Sequence, residues 1–380
     1  MHTYLLTPLA PLVLRTGKPF GDTGGGDNFP FPQPSTLAGA LRTARADAEG
    51  LPFSPESRDE VLGWASHGAL PAKIEGDTVT PLFPRPLDVH YTKPGESLVL
   101  DWLAPKRLGE DEGCDLPAGL WPVFLRGDDK AKPAKGPVWW TQAAMEGWLR
   151  GQLPETKDLG HEALPLDFRQ HVKLDPNTLA SETGQLFQSA GIDFEARRKT
   201  DKPEPNLEKR GWNPQRFGLL ARFSHELQPT LLRLGADARL AAAVMDSDAW
   251  PKLPPELAAA LRASKAIRLI LATPALFSGG WKPGWLGDDL TGSPPGVPGL
   301  TLRLCAAALD RWQAVSGWEI VKKKPKAVRR TVPAGAVYWF EIVGDAPDNW
   351  PEQLWLSPIS DHEQDRRDGF GLALPGIWKQ

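Results

Sequence analysis

The chain has 380 residues, 41% of them hydrophobic and 24% charged, with a formal net charge of -3. That length suits two domains, each able to bury a core, and the composition excludes a disordered chain. The near-balanced charge excludes a surface that is basic overall, so any site for a polyanion must be local.

The 39 prolines and 37 glycines imply many ordered loops between short elements and argue against a helical bundle. Cys114 and Cys305 are the only cysteines. They lie far apart without CxxC spacing, which points to a reducing cytoplasm and away from a metal or redox centre. No apolar run approaches the ~20 residues that a membrane span needs.

The opening MHTYLLTPLAPLVLRTG has no basic leader and is interrupted by Pro8 and Pro11, so residues 3–14 read as a strand and not as a signal. After the glycine-rich GDTGGGDNF comes PSTLAGALRTARADAEG. There Ser35 or Thr36 is expected to cap a helix, with Leu37, Ala40, Leu41 and Ala44 at helical spacing and Gly50 closing it. Strands follow at 87–91 and 98–103, then an acidic run at Glu110, Asp111, Glu112 and Asp115. GQLFQSAGIDFEARRK and RFGLLARF read as strands flanking TDKPEPNLEKRGWNPQ, a projecting hairpin tip or loop within 184–222. LRLGADARLAAAVM and a helix at PPELAAALRASK complete a first half, and the strand AIRLILATPALF opens a second. The expected domains are therefore 1–250 and 264–380, joined by 251–263. LTLRLCAAALDRW, a basic turn, GAVYWFEIV and GFGLALPGIW carry the second half to its end. Strands dominate and long helical crossovers are scarce, so each half is expected to be α+β, an antiparallel sheet with helices on one face.

Several groups are candidates for holding a nucleic acid. Lys322, Lys323, Lys324, Lys326, Arg329 and Arg330 place six cations within nine residues, a density that a phosphate chain rewards through counterion release; a protein-binding patch is the alternative. Arg366 and Arg367, just before GFG, pose the same choice. Gly24, Gly25 and Gly26 can turn backbone N–H groups to a phosphate at the start of the following helix, although Asp22 and Asp27 count against it. Arg42 lies nearly two helical turns beyond Ser35 and Thr36, with Arg45 almost a turn further. Those four, with Arg15 and Lys18, can share one RNA-facing surface or be ordinary solvated groups. FSGGWKPGW couples Trp281 and Trp285 to Lys282, which suits stacking of an unpaired base, while 16 tryptophans make core packing the competing role. Arg197, Arg198, Lys199, Lys209 and Arg210 belong to the insertion.

His171, in FRQHVKLDP, is grouped with the RNA-facing residues and not with a catalytic set. General base catalysis needs a second positioned group, and no compact His, Tyr and Lys constellation is readable. Asp345 and Glu352, with the many tryptophans, keep a carbohydrate-active enzyme as a rival reading. No metal or cofactor is expected.

LRTGKPFG (14–21), FPQPSTLAGALR (31–42), TPALFSGGWKPGWL (273–286), SGWEIVKKKPKAVRRTVPAGAVYWFEI (316–342) and GFGLALPGIW (369–378) together resemble the RAMP proteins of CRISPR systems. Within them, the chain is similar to the type III-B (Cmr) subunits that hold the 5′ handle of the guide RNA, over most of its length. The resemblance implies two ferredoxin-like (RRM-like) domains with antiparallel sheets and inserted hairpins. It also implies binding of guide RNA at its 5′ handle, docking to the large polymerase-like subunit and to a neighbouring RAMP backbone subunit, and only indirect contact with target RNA. A thumb-like projection at 184–222 would separate the handle from the target-pairing region. A binding subunit without catalysis is expected; a guide-processing endoribonuclease is the alternative within the superfamily. Where the family has LGGEGR this chain has Leu234, Gly235, Ala236, Asp237, Ala238 and Arg239, which removes two of the three glycines that close approach to RNA would use.

Overall fold

Alternating burial makes His2–Pro8 a strand, with Tyr4, Leu6 and Pro8 turned inward. It pairs antiparallel with Arg216–Phe223 on one side and with Leu240–Met245 on the other. The expected continuation to Leu14 does not form, because Pro8 and Pro11 cannot donate to the ladder; beyond them Leu12 bridges Ile192. The computed structural model describes residues 1–14, 31–126, 131–195, 197–199, 212–214, 216–236 and 238–379, with backbone alone at 182–185, 187, 197–199 and 212–214. Contacts group the chain into two units, each assembled from three segments: 1–80, 164–250 and 314–329 in the first, and 81–163, 251–313 and 330–380 in the second.

In the first unit the strands lie in the order Thr230–Arg233, Leu240–Met245, His2–Pro8, Arg216–Phe223, Ser66–Glu75. Numbered along the chain as 1 (His2–Pro8), 2 (Ser66–Glu75), 3 (Arg216–Phe223) and 4 (Leu240–Met245), the main strands have the order 4-1-3-2, and neighbours are antiparallel. RFGLLARF is buried almost throughout, as an apolar run in a sheet centre should be. The helix Pro34–Glu49 makes the crossover from strand 1 to strand 2. It packs on Ser66–Glu75 and Thr230–Arg233, with Leu37, Ala38 and Leu41 fully buried.

Neither Ser35 nor Thr36 caps that helix. Gln33 is the N-cap, without a side-chain bond, and Pro34 starts the first turn because its fixed φ is already helical and its missing N–H costs nothing there. Gly50 ends the helix at φ 67°, the left-handed conformation that glycine adopts without a Cβ penalty.

The second unit repeats the strand order with different cover. Its strands run Thr291–Gly292, Leu302–Ala308, Val337–Ile342, Ala266–Leu271, Leu372–Ile377, Ser357–Pro358. Taken along the chain, the four long ones again lie 4-1-3-2, with antiparallel neighbours. Here the first crossover, 272–301, contains no helix, and the second carries the short helices Trp350–Leu354 and Glu363–Arg367. Helix Pro255–Ala263 and helix Gln142–Leu149 both pack on Leu372–Ile377.

Ala266–Leu271 is buried at every position, including Arg268. The Arg268 Nη1 donates to Asp88 Oδ2 at 2.5 Å and its Nη2 to the Trp148 carbonyl, while Trp148 Nε1 donates to Asp88 Oδ1 at 3.0 Å. Asp88 is wholly buried and the guanidinium lies 4.7 Å from the Trp148 ring centroid, so the charge is enclosed by its counter-ion and an indole face. Nearby, Trp140 Nε1 donates to Tyr91 Oη at 2.7 Å, and burial pushes the Tyr91 hydroxyl up to about 12.

The insertion differs from expectation. Ser181–Ile192 does not pair with RFGLLARF; it pairs with Leu166–Leu174 in a two-stranded ribbon. A second short ladder, Arg197–Lys199 with Trp212–Pro214, closes the inserted segment, whose tip lies outside the described residues. Among the described residues no helix is long and apolar enough to cross a membrane.

Candidate nucleic-acid interface

The basic run sits on a small hairpin arm. Trp318–Glu319 pairs antiparallel with Lys324–Pro325, and Lys323 takes a φ of 47° to turn the chain between them. Below the turn, Lys326 N–H bonds the Gly317 carbonyl at 2.8 Å and Ser316 Oγ donates to the Lys326 carbonyl at 2.7 Å. Arg58 reaches Glu319 at 3.5 Å, which ties the arm to the helix Pro55–Gly63 of the same unit. Lys322, Lys323, Lys324, Lys326, Arg329 and Arg330 are all exposed, and among the described residues the four lysines form no ion pair. Uncompensated cations this close together raise one another's field and favour a polyanion. Trp318, Ile320 and Val328 are exposed among them.

Arg330 lies over the ring of Trp312, 4.7 Å from its centroid, and Trp312 itself is 56% exposed. Sequence reasoning missed Trp312 because it stands outside the basic run; an aromatic flanking a cation cluster is the signal that would have found it.

The FSGGWKPGW loop is more tightly built than its glycines suggest. Asp361 accepts from Ser278 N–H at 2.6 Å and from Gly284 N–H at 2.8 Å, and Tyr338 Oη donates to the Trp281 carbonyl at 2.6 Å. Burial, with Asp361 nearby, pushes the Tyr338 hydroxyl up, so it remains a donor. Trp285 stacks on Phe340 at 5.8 Å and donates to the Ile359 carbonyl, which commits it to packing. Trp281 is exposed, and Lys282 Nζ approaches the Gly287 carbonyl at 3.4 Å.

Other candidates are placed less favourably for a phosphate. Arg42 is buried, with its Nε donating to the Trp64 carbonyl at 2.9 Å; helical spacing indicated its face but not its depth. Arg45 Nη1 donates to the Glu226 carbonyl at 2.8 Å and its Nη2 pairs with Glu49. Ser35 and Thr36 are half-buried in the first turn. Arg366 Nη1 donates to the carbonyls of Ser360 and Asp361, and Arg367 pairs with Glu363. Arg15, Lys18 and the glycines at 24–26 lie outside the described residues, as do Lys209, Arg210 and the side chains of Arg197, Arg198 and Lys199.

His171 stands on the ribbon and its Nε2 is 2.8 Å from Ser189 Oγ, an exposed pairing across the two strands. Leu166, Phe168, Val172 and Leu174 alternate along one strand and Leu186 faces Val172 on the other. All five are exposed, so among the described residues this ribbon face is an uncovered apolar surface. In the stretch that replaces the family's LGGEGR, Gly235 and Ala236 are packed against the chain itself. A Cβ on Gly235, at φ 84°, would come within 2.8 Å of the Val13 carbonyl, and Ala236 N–H bonds that same carbonyl.

Of the two carboxylates in the rival enzyme reading, Glu352 is paired with Arg262, while Asp345 lines a small polar cleft with Lys265, Asp348 and Trp350. Among the described residues no three His, Cys, Asp or Glu side chains converge as a metal site.

A model of the family described as CRISPR-associated protein (Cas_Cmr3) matches residues 4–378. Among solved structures, the chain is similar to one in a cryo-EM structure of the type III-B Cmr-beta bound to cognate target RNA, with 13% identity, 89% of this chain and 86% of that chain covered, and a TM-score of 0.47. It is similar to one in the same assembly with cognate target RNA and AMPPnP, state 1, at 12% identity, the same coverages and a TM-score of 0.46. A third likeness is to a crystal structure of a Csm3-Csm4 subcomplex in the type III-A CRISPR-Cas interference complex, with 11% identity, 91% and 94% covered, and a TM-score of 0.36. No curated protein matches.

Proposed function

This chain belongs to the Cas_Cmr3 family of CRISPR-associated proteins, a Cmr (type III-B) effector subunit, and from that premise we propose that it grips the 5′ handle of the guide RNA without catalysing a reaction. In this reading it docks the large polymerase-like subunit and a neighbouring backbone subunit, and it meets target RNA only through the guide. The observation that carries the reading is the arm from Lys322 to Arg330, with six exposed cations and four lysines that form no ion pair among the described residues. The arm binds phosphates as point charges and so positions the RNA backbone, while base pairing elsewhere reads sequence.

Lys282 and Trp281 form a second contact, and the ribbon 166–192 acts as the thumb-like projection. Arg42 and Arg366 are left out, since Arg42 is buried with its Nε on the Trp64 carbonyl and Arg366 turns its Nη1 to the carbonyls of Ser360 and Asp361. We further read each unit as ferredoxin-like, because both carry the antiparallel 4-1-3-2 order that a β-α-β-β-α-β chain produces.

The test is a titration of labelled RNA bearing a repeat-derived 5′ handle, or a scrambled one, with the protein alone and with its large subunit, read also on a denaturing gel. Handle-selective retention of intact RNA is expected. Cleavage would make the chain a nuclease, and equal retention of both RNAs in both settings would leave it a protein-docking role.

A further inference from the structure

We propose that Trp312 and Arg330 form a stacking platform for one unpaired RNA base, with Arg330 binding the adjoining phosphate. The proposal rests on the RNA-gripping reading and adds to it a contact with a base, which phosphate-binding lysines do not provide.

The two residues approach from different parts of the chain. Trp312 follows the strand Leu302–Ala308 in the loop Leu309–Asp310–Arg311–Trp312, and Arg330 lies in the returning strand Arg329–Thr331. The loop and the return are joined where Thr331 Oγ1 donates to the Gln313 carbonyl at 3.1 Å, so a bond between the residues next to each holds indole and guanidinium near one another.

With one ring face under Arg330 at 4.7 Å, more than half of Trp312 still meets solvent. A buried indole is a packing element; an indole held on one side and open on the other is a surface on which a flat ring can lie. A guanidinium that stacks by its plane keeps its N–H groups at the edge, where they donate to a phosphate oxygen in the fork geometry that arginine offers and lysine does not. Arg311, exposed in the same loop, adds a second cation, and its own N–H is turned to Asp310 Oδ1 at 2.6 Å.

Charge decides between possible occupants. An apolar segment of a partner protein would cover Arg330 and Arg311 without supplying an anion, which is costly. A single-stranded nucleotide supplies a ring for Trp312 and a phosphate for Arg330 together. Stacking tolerates any base, since each has a π-face, so the platform holds a nucleotide without reading it.

The experiment uses the full chain and labelled single-stranded RNA oligomers of equal length, one with bases and one with abasic sites in the same backbone, across a salt series. The wild type is expected to bind the base-bearing oligomer roughly tenfold more tightly than the abasic one. Trp312→Ala abolishes that preference and leaves the salt slope unchanged, and Trp312→Phe keeps part of it. Arg330→Ala weakens both oligomers and lowers the slope by about 0.7. Equal binding of the two oligomers by the wild type, or an undiminished preference in Trp312→Ala, overturns the proposal while the RNA-gripping reading stands. Failure of the wild type to bind either oligomer, both alone and with its large subunit, overturns both.

Discussion

Replacing Arg268 by methionine isolates the buried charge of the second unit. The guanidinium is 92% enclosed and its partner Asp88 wholly so, at 2.5 Å; methionine fills much of the volume but leaves a carboxylate in the interior with Trp148 Nε1 as its side-chain donor. Removing one member of such a pair costs about 3–5 kcal/mol. In a unit of roughly 200 residues that corresponds to about 6–20 °C of melting temperature. Adding Asp88→Asn removes the second charge while the amide oxygen still accepts from Trp148, and it is expected to restore more than half of the loss. Calorimetry, with urea melts followed by tryptophan fluorescence, reads both variants. A loss below about 1 kcal/mol in the single variant, or a double variant no more stable than the single, would show that Asp88 is not held as a carboxylate by Arg268.

Ala238 sits at φ 51°, a left-handed conformation that costs a side-chain-bearing residue about 1 kcal/mol or more; Ala238→Gly, which restores the family's glycine, is expected to raise the urea midpoint. Burial, reinforced by Arg222 and the N-terminal amine, lowers the imidazole of His67 to about 4, so the native state holds it neutral. Its contribution is intact above the ordinary value near 6.5 and is lost as pH falls from there toward 4 at about 1.4 kcal/mol per pH unit; urea melts at pH 7 and 5 should show this loss, and His67→Gln should flatten it. Alanine at Lys322, Lys323 and Lys324 together should reduce the salt slope of RNA binding by about 2, with melting unchanged; an unchanged slope removes these lysines from the interface. Serine at Phe168, Val172 and Leu186, all exposed on the ribbon, should leave stability within about 0.5 kcal/mol yet weaken co-purification with the assembled complex, whereas a large fall in melting temperature would mean that this face packs within the chain.

The central strands were legible because RFGLLARF, AIRLILATPALF and GAVYWFEIV are apolar runs bounded by turns, and a strand buried on both faces has that pattern. Of the ribbon, GQLFQSAGI was legible as a strand, but its partner Leu166–Leu174 was not, although Leu166, Phe168, Val172 and Leu174 alternate, because Gln170 and His171 interrupt the apolar pattern. The helix cap was misjudged because Ser35 and Thr36 are good caps in isolation, while Pro34 already fixes the start one residue earlier. The basic arm is local in sequence and could be read directly. Arg42 could not: its spacing marks a helix face, and only the tertiary placement of the Trp64 carbonyl shows that the guanidinium turns inward. The meetings of Arg268 with Asp88 and of Arg330 with Trp312 depend on which strands become neighbours, and single-sequence patterns carry no record of that.

The division of each unit among three separated segments bears on how the chain is made. As it leaves the ribosome, the first unit has its sheet by residue 250 but lacks the stretch 314–329, while residues 81–163 must wait for 251–313 and 330–380 before their own unit is complete. Apolar surface from that waiting segment stands uncovered during the interval, the condition that draws chaperones to nascent chains. A stop codon near residue 250 would therefore release a fragment in which segment 81–163 lacks 251–313 and 330–380, the rest of its own unit.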